Sequence, residues 1–254
     1  MSRPVPFELP PASLAGRVAV ITGASRGLGA GLAARLAAHG LHLGLCARAE
    51  PVPPAGAATL TASVDVTRPD ELDRFADQVV GRFGRIDLWI NNAGTLEPLG
   101  PQRDHDPAQV DVALRVNVGG VANGTRTFTR RARPEPGRPA VLINLSSGAS
   151  RSIYRGWSIY GATKAAVDHF TEIVAAEEPQ LVCHAVAPGV VETDMQVLIR
   201  AQDEATFPDV ERFRQIEAEG SANSPAWVAD HVAAILAGTL VPEAVVYRLP
   251  PEHA

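Results

Sequence analysis

Residues 17–39 read RVAVITGASRGLGAGLAARLAAH, and this stretch decides the fold. An apolar run of strand length leads into a glycine-rich turn, and apolar residues at helical spacing follow. Glycines permit a tight turn, and the helix that follows presents free N–H groups and its positive dipole end to a pyrophosphate. Glycines alone could simply mark a turn, but this order of elements predicts a dinucleotide-binding loop. The predicted contacts are Thr22, Gly23, Ser25, Arg26, Gly27, Leu28 and Gly29.

The same alternation of apolar run and helical pattern continues to the end of the chain. Continuous apolar runs indicate strands buried on both faces, as in a parallel sheet. These runs are 17–22, 41–46, 59–64, 86–90, 140–145, 181–187 and 244–249. Helical patterns lie between them at 28–39, 69–83, 107–130, 158–177 and 225–236. The fold class is therefore α/β: a single-domain Rossmann-type doubly wound parallel sheet of about seven strands, with helices on both faces.

No composition shift divides the chain, so residues 1–254 are expected to form one domain. Residues 1–15 are expected to be an N-terminal extension. The polar, charge-rich stretch 192–223 fits no strand and is expected to be a mobile helical flap on the substrate side, although an ordinary solvated excursion would look the same.

Composition limits the function classes. The chain is 46% hydrophobic and 20% charged with a net charge of -5, which argues against nucleic-acid binding and against disorder. Neither a signal peptide nor a membrane span is expected, so a cytoplasmic protein acting on small molecules is predicted. Cys46 and Cys183 lie in apolar runs and are expected to be buried free thiols. The histidines lack metal-ligand spacing, so no metal site is expected.

Tyr160 and Lys164 lie one helical turn apart and project on the same face. An ordinary tyrosine has a pKa of about 10, and a nearby ammonium lowers it, so such a pair can exchange protons at working pH. Alone, a Tyr/Lys pair at this spacing more often consists of a tyrosine packed in the core and a lysine in solvent at the edge of the core. Ser146 and Ser147 follow the run 140–145, which places their hydroxyls at the carboxyl edge of the predicted sheet, where a ligand binds.

These segments resemble the short-chain dehydrogenase/reductase family. Residues 22–29 resemble its TGxxxGxG motif, whereas they differ from GxGxxG and from the phosphate loop of NTPases. Residues 91–94 match the NNAG motif, and residues 188–193 are similar to the PGxxxT segment. Residues 160–164 match the YxxxK motif, and the family serine, thirteen residues before the tyrosine, falls on Ser147.

The resemblance implies direct hydride transfer between a nicotinamide and a carbonyl carbon, with a catalytic set of Asn117, Ser147, Tyr160 and Lys164. Tyr160 would protonate the alkoxide and Ser147 would hold the carbonyl oxygen. Lys164 would bind the nicotinamide ribose and lower the pKa of Tyr160, and Asn117 would position a water that leads to Lys164. Besides Tyr160 and Lys164, the implied cofactor contacts are Asp65, Val66, Asn91, Ala93, Gly94, Pro188, Gly189, Val191 and Thr193. Asp65 could instead be a helix-capping or loop acid.

The choice between the two nicotinamide dinucleotides depends on charge at the end of the second strand. An NAD site usually places a carboxylate there, whereas the 2′-phosphate of NADP needs cations. The run 41–46 is followed by Ala47 and Arg48, and Glu50 comes too late to contact the ribose. Arg48 and Arg26 could clamp the phosphate, although either could be solvated surface. NADP (NADPH) is therefore the predicted cofactor.

The nature of the substrate is less constrained. Residues 164–169 and 187–196 look closest to the sepiapterin reductase and benzil reductase branch of the family, which reduces vicinal dicarbonyls. The last strand, 244–249, lacks the aspartate that anchors a pterin, which favours an apolar or aromatic diketone. Possible wall residues, each equally explained by packing, are Leu96, Tyr154, Trp157, Met195 and Leu198.

The predicted activity is thus NADPH-dependent reduction of a ketone or vicinal diketone. Two alternatives stay open: an NAD(P)-dependent alcohol dehydrogenase working oxidatively, and a non-catalytic NADP-binding regulator. By the resemblance, the helical stretches 107–130 and 158–177 would form the contacts of a homodimer or homotetramer.

Overall fold

Seven parallel strands form one sheet in the order β3-β2-β1-β4-β5-β6-β7. The computed structural model describes residues 14–253. The strands are β1 Val18–Thr22, β2 His42–Ala47, β3 Thr59–Ser63, β4 Leu88–Asn91, β5 Val141–Leu145, β6 Val182–Ala187 and β7 Val246–Arg248. All seven agree with the predicted runs to within two residues, which confirms the predicted fold class.

Helices cover both faces of this sheet. They are α1 Gly27–Ala38, α2 Pro69–Phe83, α3 Pro107–Leu114, α4 Gly120–Thr129, α5 Ser158–Glu177, α6 Asp194–Arg200, α7 Val210–Glu219 and α8 Pro225–Ala237. One core cluster joins α1 and α8 to the sheet through residues such as Leu36 and Val232. A second joins α2, α4 and α5 to the opposite face through Phe75, Phe128 and Val174. Every residue of β1, β4 and β5 is buried, as expected of strands covered on both sides.

The single helix predicted over 107–130 is interrupted in its middle. One turn of π-helix, Arg115–Gly119 and hereafter the π turn, separates α3 from α4. Such widened turns are rare and occur frequently at functional sites. The π turn contains Asn117, which is 1% exposed.

The stretch 192–223 contains two helices, α6 and α7, that follow β6 at the carboxyl edge of the sheet. Phe207 and Phe213 pack with Trp157 in a third core cluster. Arg200 pairs with Glu192 at 2.7 Å and with Glu217 at 2.9 Å, which braces the stretch internally.

Residues 1–13 of the expected N-terminal extension lie outside the described residues. Leu14 belongs to the core cluster of α1 and α8. Cys46 and Cys183 are free and buried, as predicted. Within 14–253, no helix combines the length and apolar character that crossing a bilayer requires. The same residues include no group of three His, Cys, Asp or Glu side chains able to bind a metal ion.

Candidate active site

The glycine-rich loop lies between β1 and α1 at the carboxyl edge of the sheet. Two of its glycines are required by packing: a Cβ at Gly23 would lie 2.7 Å from the Ala93 Cα, and one at Gly29 would lie 2.4 Å from the Gly23 oxygen. Gly27 has φ 56 and is exposed. No side chain caps α1, since Arg26 at its N-cap position makes no cap hydrogen bond. An uncapped helix N-terminus behind an open glycine fits the pyrophosphate of a dinucleotide.

A second loop, after β4, is fastened to the first. The backbone N–H groups of Asn92 and Ala93 each donate to Thr22 Oγ1 at 3.1 Å. Asn92 Nδ2 donates to the carbonyl oxygens of Thr22 and Gly23 at 2.9 and 3.1 Å. Asn92 stands inside the NNAG motif but was not among the contacts predicted from the sequence. This side chain sets the position of the glycine loop.

The Asn91 side chain points into the core and not toward the ligand edge. Its Nδ2 donates to Asn144 Oδ1 at 2.8 Å, and its Oδ1 accepts from Trp89 Nε1 at 2.8 Å. A Cβ at Gly124 would lie 2.0 Å from Asn91 Oδ1, so α4 approaches β4 closely at this glycine. Asn91 can therefore contact a cofactor only through its backbone.

Two acids near the predicted nucleotide site take part in local hydrogen bonds. Asp65 Oδ1 accepts from the Thr67 N–H at 2.9 Å and from Thr67 Oγ1 at 2.8 Å, which is a turn-forming role for that oxygen. Glu50 Oε1 accepts from Thr61 Oγ1 at 2.7 Å. Val66, next to Asp65, is buried against α4 at Gly120, where an added Cβ would lie 2.7 Å from Val66 Cγ2.

The two predicted phosphate-binding arginines are exposed at the carboxyl ends of neighbouring strands. β1 and β2 are in register with Thr22 beside Cys46, so Arg26 and Arg48 follow adjacent strand ends. Arg26 Nη1 pairs with Asp194 Oδ2, the first residue of α6, at 3.3 Å. Arg48 is exposed, and its carbonyl accepts from Ser63 Oγ at 2.8 Å.

Tyr160, Lys164 and Ser147 meet where β5 ends. Burial raises the pKa of Tyr160, and a hydrogen bond with Ser147 acts in the opposite direction. Lys164 is 6% exposed, and its Nζ donates to the Leu145 carbonyl at 2.7 Å and lies 5.7 Å from the Tyr160 ring centroid. The pKa of Tyr160 is thus raised, contrary to the expectation that the Lys164 ammonium lowers it, because burial outweighs the hydrogen bond with Ser147. At neutral pH Tyr160 keeps its proton.

Burial has the opposite consequence for the lysine. It lowers the pKa of Lys164 to about 8, against a smaller raising influence from the Asp168 charge. Tyr160 and Lys164 are therefore both shifted toward their neutral forms.

Asn117 connects the loop after β4 to α5. Its Oδ1 accepts from the Thr95 N–H at 2.8 Å, and its Nδ2 donates to the Thr95 carbonyl at 2.8 Å and to Thr163 Oγ1 at 3.1 Å. A Cβ at Gly94 would lie 3.3 Å from Asn117 Oδ1 and 3.9 Å from Lys164 Nζ. Asn117 and Lys164 therefore both lie beside Gly94, and the Asn117 amide is already engaged by Thr95 and Thr163.

Residues 188–193 follow β6 and complete this edge. Gly189 has φ 78, and Thr193 faces Gly27, where an added Cβ would lie 3.5 Å from Thr193 Cβ. Asn223 Nδ2 donates to the Pro188 carbonyl at 2.7 Å. Asn223 Oδ1 accepts from the Glu252 N–H at 2.8 Å, so residues near the C-terminus support this turn. Pro188 and Val191 are buried. Neither Asn223 nor Glu252 was predicted from the sequence.

An aromatic cluster adjoins Tyr160. The Trp157 ring lies edge-on to Tyr160 at 5.4 Å between centroids and stacks on Phe207 at 4.8 Å. Tyr154 and Phe213 lie 5.0 and 5.3 Å from Trp157. A cavity of about 190 Å³ beside them is lined by Ala149, Ser152, Ile153, Tyr154, Trp157, Ser158 and Gly161.

Of the predicted wall residues, Leu96, Tyr154, Trp157 and Leu198 share one cluster, whereas Met195 is 37% exposed. Phe207 and Phe213 were missed, because they belong to the stretch 192–223 that has no strong sequence pattern.

Relatives of known activity cover nearly the whole chain. A benzil reductase ((S)-benzoin forming) from Bacillus cereus is 30% identical over 247 residues, which are 92% of this chain and 99% of that protein. A sepiapterin reductase from Meriones unguiculatus is 32% identical over 224 residues, which are 80% of this chain and 84% of that protein.

Solved structures share the fold. The KRED1-Pglu enzyme superposes with a TM-score of 0.78 at 34% identity, covering 90% of this chain and 98% of that one. A 3-ketoacyl-(acyl-carrier-protein) reductase from Brucella melitensis complexed with NADH has a TM-score of 0.75 at 27% identity and covers 92% and 98%. A short chain dehydrogenase from Burkholderia cenocepacia in complex with NADP has a TM-score of 0.72 at 27% identity and covers 88% and 91%.

The family model described as short chain dehydrogenase matches residues 17–204, from the strand before the glycine loop to the residues just after α6. This match confirms the resemblance noted in the sequence, and the relatives point to the same branch. Because the match spans well over half of the chain, the protein belongs to the short chain dehydrogenase family, whose members are oxidoreductases that use a nicotinamide cofactor.

Proposed function

We propose that this protein is an NADPH-dependent carbonyl reductase that acts on a ketone or vicinal diketone, with Tyr160 as the proton donor. The observation that carries the proposal is the meeting of Tyr160, Ser147 and Lys164 at the carboxyl edge of the sheet, beside the glycine loop. A protein that only sensed the dinucleotide would not need a hydroxyl pair backed by a buried lysine.

The chemistry assigned to each side chain follows from its surroundings. A bound nicotinamide supplies the hydride that the protein itself cannot provide. Ser147 hydrogen-bonds the substrate carbonyl and orients it, and Tyr160 donates its proton to the oxygen that becomes an alcohol. With its raised pKa, Tyr160 holds that proton at neutral pH, as a proton donor must. Lys164 contacts the nicotinamide ribose and lends positive charge to the site.

NADP is the proposed cofactor because of the charges at the end of β2. Arg48 is exposed there, and no acid ends the strand. Glu50, the nearest carboxylate in sequence, is hydrogen-bonded to Thr61. Arg26 and Arg48 therefore offer two guanidinium groups to the 2′-phosphate. Backbone groups of the remaining proposed contacts, from Thr22 to Thr193, line the rest of the cofactor.

A dicarbonyl with aromatic substituents is the proposed substrate class. The aromatic cluster around Trp157 and the benzil reductase activity of the Bacillus cereus relative both support it. In β7, Val246–Arg248, there is no acid to anchor a pterin. We also propose that 192–223, which carries Phe207 and Phe213, is a flap over the substrate.

We further infer a cytoplasmic homo-oligomer. Val112 and Leu114 on α3 and Ile173 on α5 are 53%, 46% and 45% exposed, and large apolar side chains left exposed on two helices that contact one another favour a protein contact. A second copy of the chain across α3 to α5 would cover these side chains. Sedimentation of the purified protein as one chain would contradict this inference.

Tyr160→Phe tests the central assignment. We expect kcat for benzil reduction by NADPH to fall roughly 10²- to 10⁴-fold, because the ring stays and only the proton donor is lost. NADPH affinity, measured by fluorescence titration, should stay within about twofold of wild type. Tyr247→Phe removes a hydroxyl on β7 and serves as the matched control. Turnover by Tyr160→Phe at the control's rate would refute the proposal.

A further inference from the structure

A second buried polar pair lies behind Lys164, outside the proton-handling group. Asp168 follows Lys164 by one turn of α5 and is 5% exposed, and Ser146, just after β5, is 4% exposed. Ser146 Oγ donates a hydrogen bond to Asp168 Oδ1. The other carboxylate oxygen, Oδ2, is buried and has no hydrogen-bond partner among the described residues. A buried carboxylate that is half satisfied needs an explanation.

Lys164 and Asp168 are held by two consecutive residues of the same strand end. Lys164 Nζ donates to the carbonyl of Leu145, and Asp168 accepts from the side chain of Ser146. An ammonium has three N–H donors, so one bond to Leu145 leaves two for other partners. Residues four apart on a helix lie on the same face. Asp168 is therefore a buried anion one helical turn from the lysine, on the same face of α5.

No other charge near the lysine competes with Asp168 in the described part of the chain. The groups that face Lys164 are the Tyr160 ring from α5, the Leu145 carbonyl from the end of β5, Asn117 from the π turn and Gly94 from the loop after β4. Of these only Tyr160 titrates, and it is kept neutral by burial, which raises its pKa.

We propose that Asp168, oriented by Ser146, is a positioning residue that keeps the Lys164 ammonium charged and in place beneath the reacting groups. The inference rests on the proposed function, because it assigns the lysine charge a role in turnover. Ser146 then has a purpose distinct from that of its neighbour Ser147: one serine orients the carboxylate and the other faces the substrate.

The consequence for pH follows from the direction of each influence. Burial lowers the pKa of Lys164 to about 8, and the Asp168 charge opposes that lowering. Replacing the carboxylate by a neutral group removes the opposition, so the lysine loses its proton at a lower pH. The loss of kcat/KM at alkaline pH should therefore begin at a lower pH, while kcat/KM well below the lysine pKa is preserved.

Asp168→Asn keeps the shape and removes the charge. We expect the alkaline limb of kcat/KM for carbonyl reduction to shift by about one pH unit toward acid. The variant should lose about fivefold at pH 8, approach a tenfold loss above about pH 9, and lose little at pH 6. Ser146→Ala removes only the hydroxyl and should shift the limb in the same direction by a smaller amount. Glu172→Gln, which removes an exposed acid from the same helix, should leave the limb unchanged.

Two results would overturn the inference. If Asp168→Asn and Ser146→Ala lower activity by the same factor at every pH, the pair is merely structural. If neither variant moves the limb, the carboxylate does not act on Lys164. Should Asp168→Asn fail to fold, the Ser146→Ala profile decides between these outcomes.

A binding measurement separates this inference from the proposed function. The pH dependence of NADPH affinity, followed by fluorescence in wild type and in the variants, reads the lysine charge without turnover. If wild type reduces no carbonyl, the proposed function fails, and the binding profile still tests the role of Asp168. If wild type turns over and neither profile shifts in the variants, only the role of Asp168 is lost.

Discussion

Burial shifts both Tyr160 and Lys164 toward their neutral forms. In carbonyl reduction the tyrosine must begin the cycle protonated, and at neutral pH Tyr160 is protonated. The lysine needs help to stay charged, and this need explains why a carboxylate stands behind it.

The cofactor preference can be tested at Arg48. We expect Arg48→Ala to raise KM for NADPH about 10- to 100-fold, since a charge-assisted hydrogen bond contributes roughly 1.5–3 kcal/mol. KM for NADH should change by less than about twofold, because NADH has no 2′-phosphate. Arg74→Ala, an exposed arginine on α2, is the matched control. An equal loss with both cofactors, or a wild type that prefers NADH, would contradict the phosphate assignment.

Single residues also mark the limit of what the sequence could predict for the site. Ser147, Tyr160 and Lys164 could be named because their spacing matches the family motif, and the structure brings them together. Asn92 and Asn223 could not, because they act through contacts with distant segments that no local pattern reports. The sign of the Tyr160 pKa shift was also predicted wrongly, since it depends on how completely the ring is buried.

At the scale of elements, the strands were predicted accurately because short apolar runs bounded by turn residues are typical of buried strands. The π turn was not, since it depends on how the backbone hydrogen bonds shift inside a helix whose pattern is otherwise uninterrupted. The bounds of helix α7 were not predicted, for a different reason. Only Val210 and Phe213 of its ten residues are buried and most of the others are polar, so its pattern does not separate it from the rest of the charge-rich stretch 192–223.

Gly124 has the least room for a side chain among the described glycines, so α4 should be sensitive there to one methyl group. A Cβ there would lie 2.0 Å from Asn91 Oδ1 and 2.9 Å from Trp89 Nε1, both buried. We expect Gly124→Ala to reduce the free energy of unfolding by about 1–3 kcal/mol or more, because α4 must move away from β4.

The matched control for that substitution is Gly81→Ala on α2, where nothing lies within 4 Å of the added methyl. It should raise the free energy of unfolding by about 0.5–1 kcal/mol through helix propensity. Urea unfolding of both variants measures the difference. A Gly124→Ala variant as stable as wild type would show that α4 has more freedom than this contact implies.

At the scale of the whole molecule, the pH dependence of stability combines several buried groups. Burial raises the pKa of the Cys46 thiol to about 12, and burial together with the Glu178 charge raises that of Cys183 to about 11. In the unfolded chain both thiols ionise near 9.0. Above pH 9 the unfolded state therefore holds fewer protons than the folded state, and stability falls as pH rises.

Lys164 makes stability rise with pH between pH 8 and its ordinary pKa of 10.5, because in that range the unfolded chain holds a proton on this lysine that the folded chain has lost. It offsets about one of the two thiols, which leaves a net loss of roughly 1.4 kcal/mol per pH unit between pH 9 and 10. Above pH 10 the raised pKa values of Tyr160 and Tyr247 steepen the loss. Urea midpoints from pH 8 to 10.5 would measure this slope. Cys46→Ala should lower stability at pH 8 and flatten the decline, and a slope identical to that of wild type would refute the account.

Arg26 pairs with Asp194 and is also the proposed partner of the NADPH 2′-phosphate, so the carboxylate and the phosphate compete for one guanidinium. Both side chains are exposed, so salt screens their attraction. If Arg26 serves the 2′-phosphate as proposed, arrival of NADPH frees Asp194 and with it the start of α6. Because the coupling is reciprocal, formation of the Arg26–Asp194 pair weakens the binding of the phosphate to Arg26. Asp194 would then replace the phosphate on Arg26 as NADPH leaves. We expect stopped-flow measurements to find slower NADPH release in Asp194→Asn than in wild type.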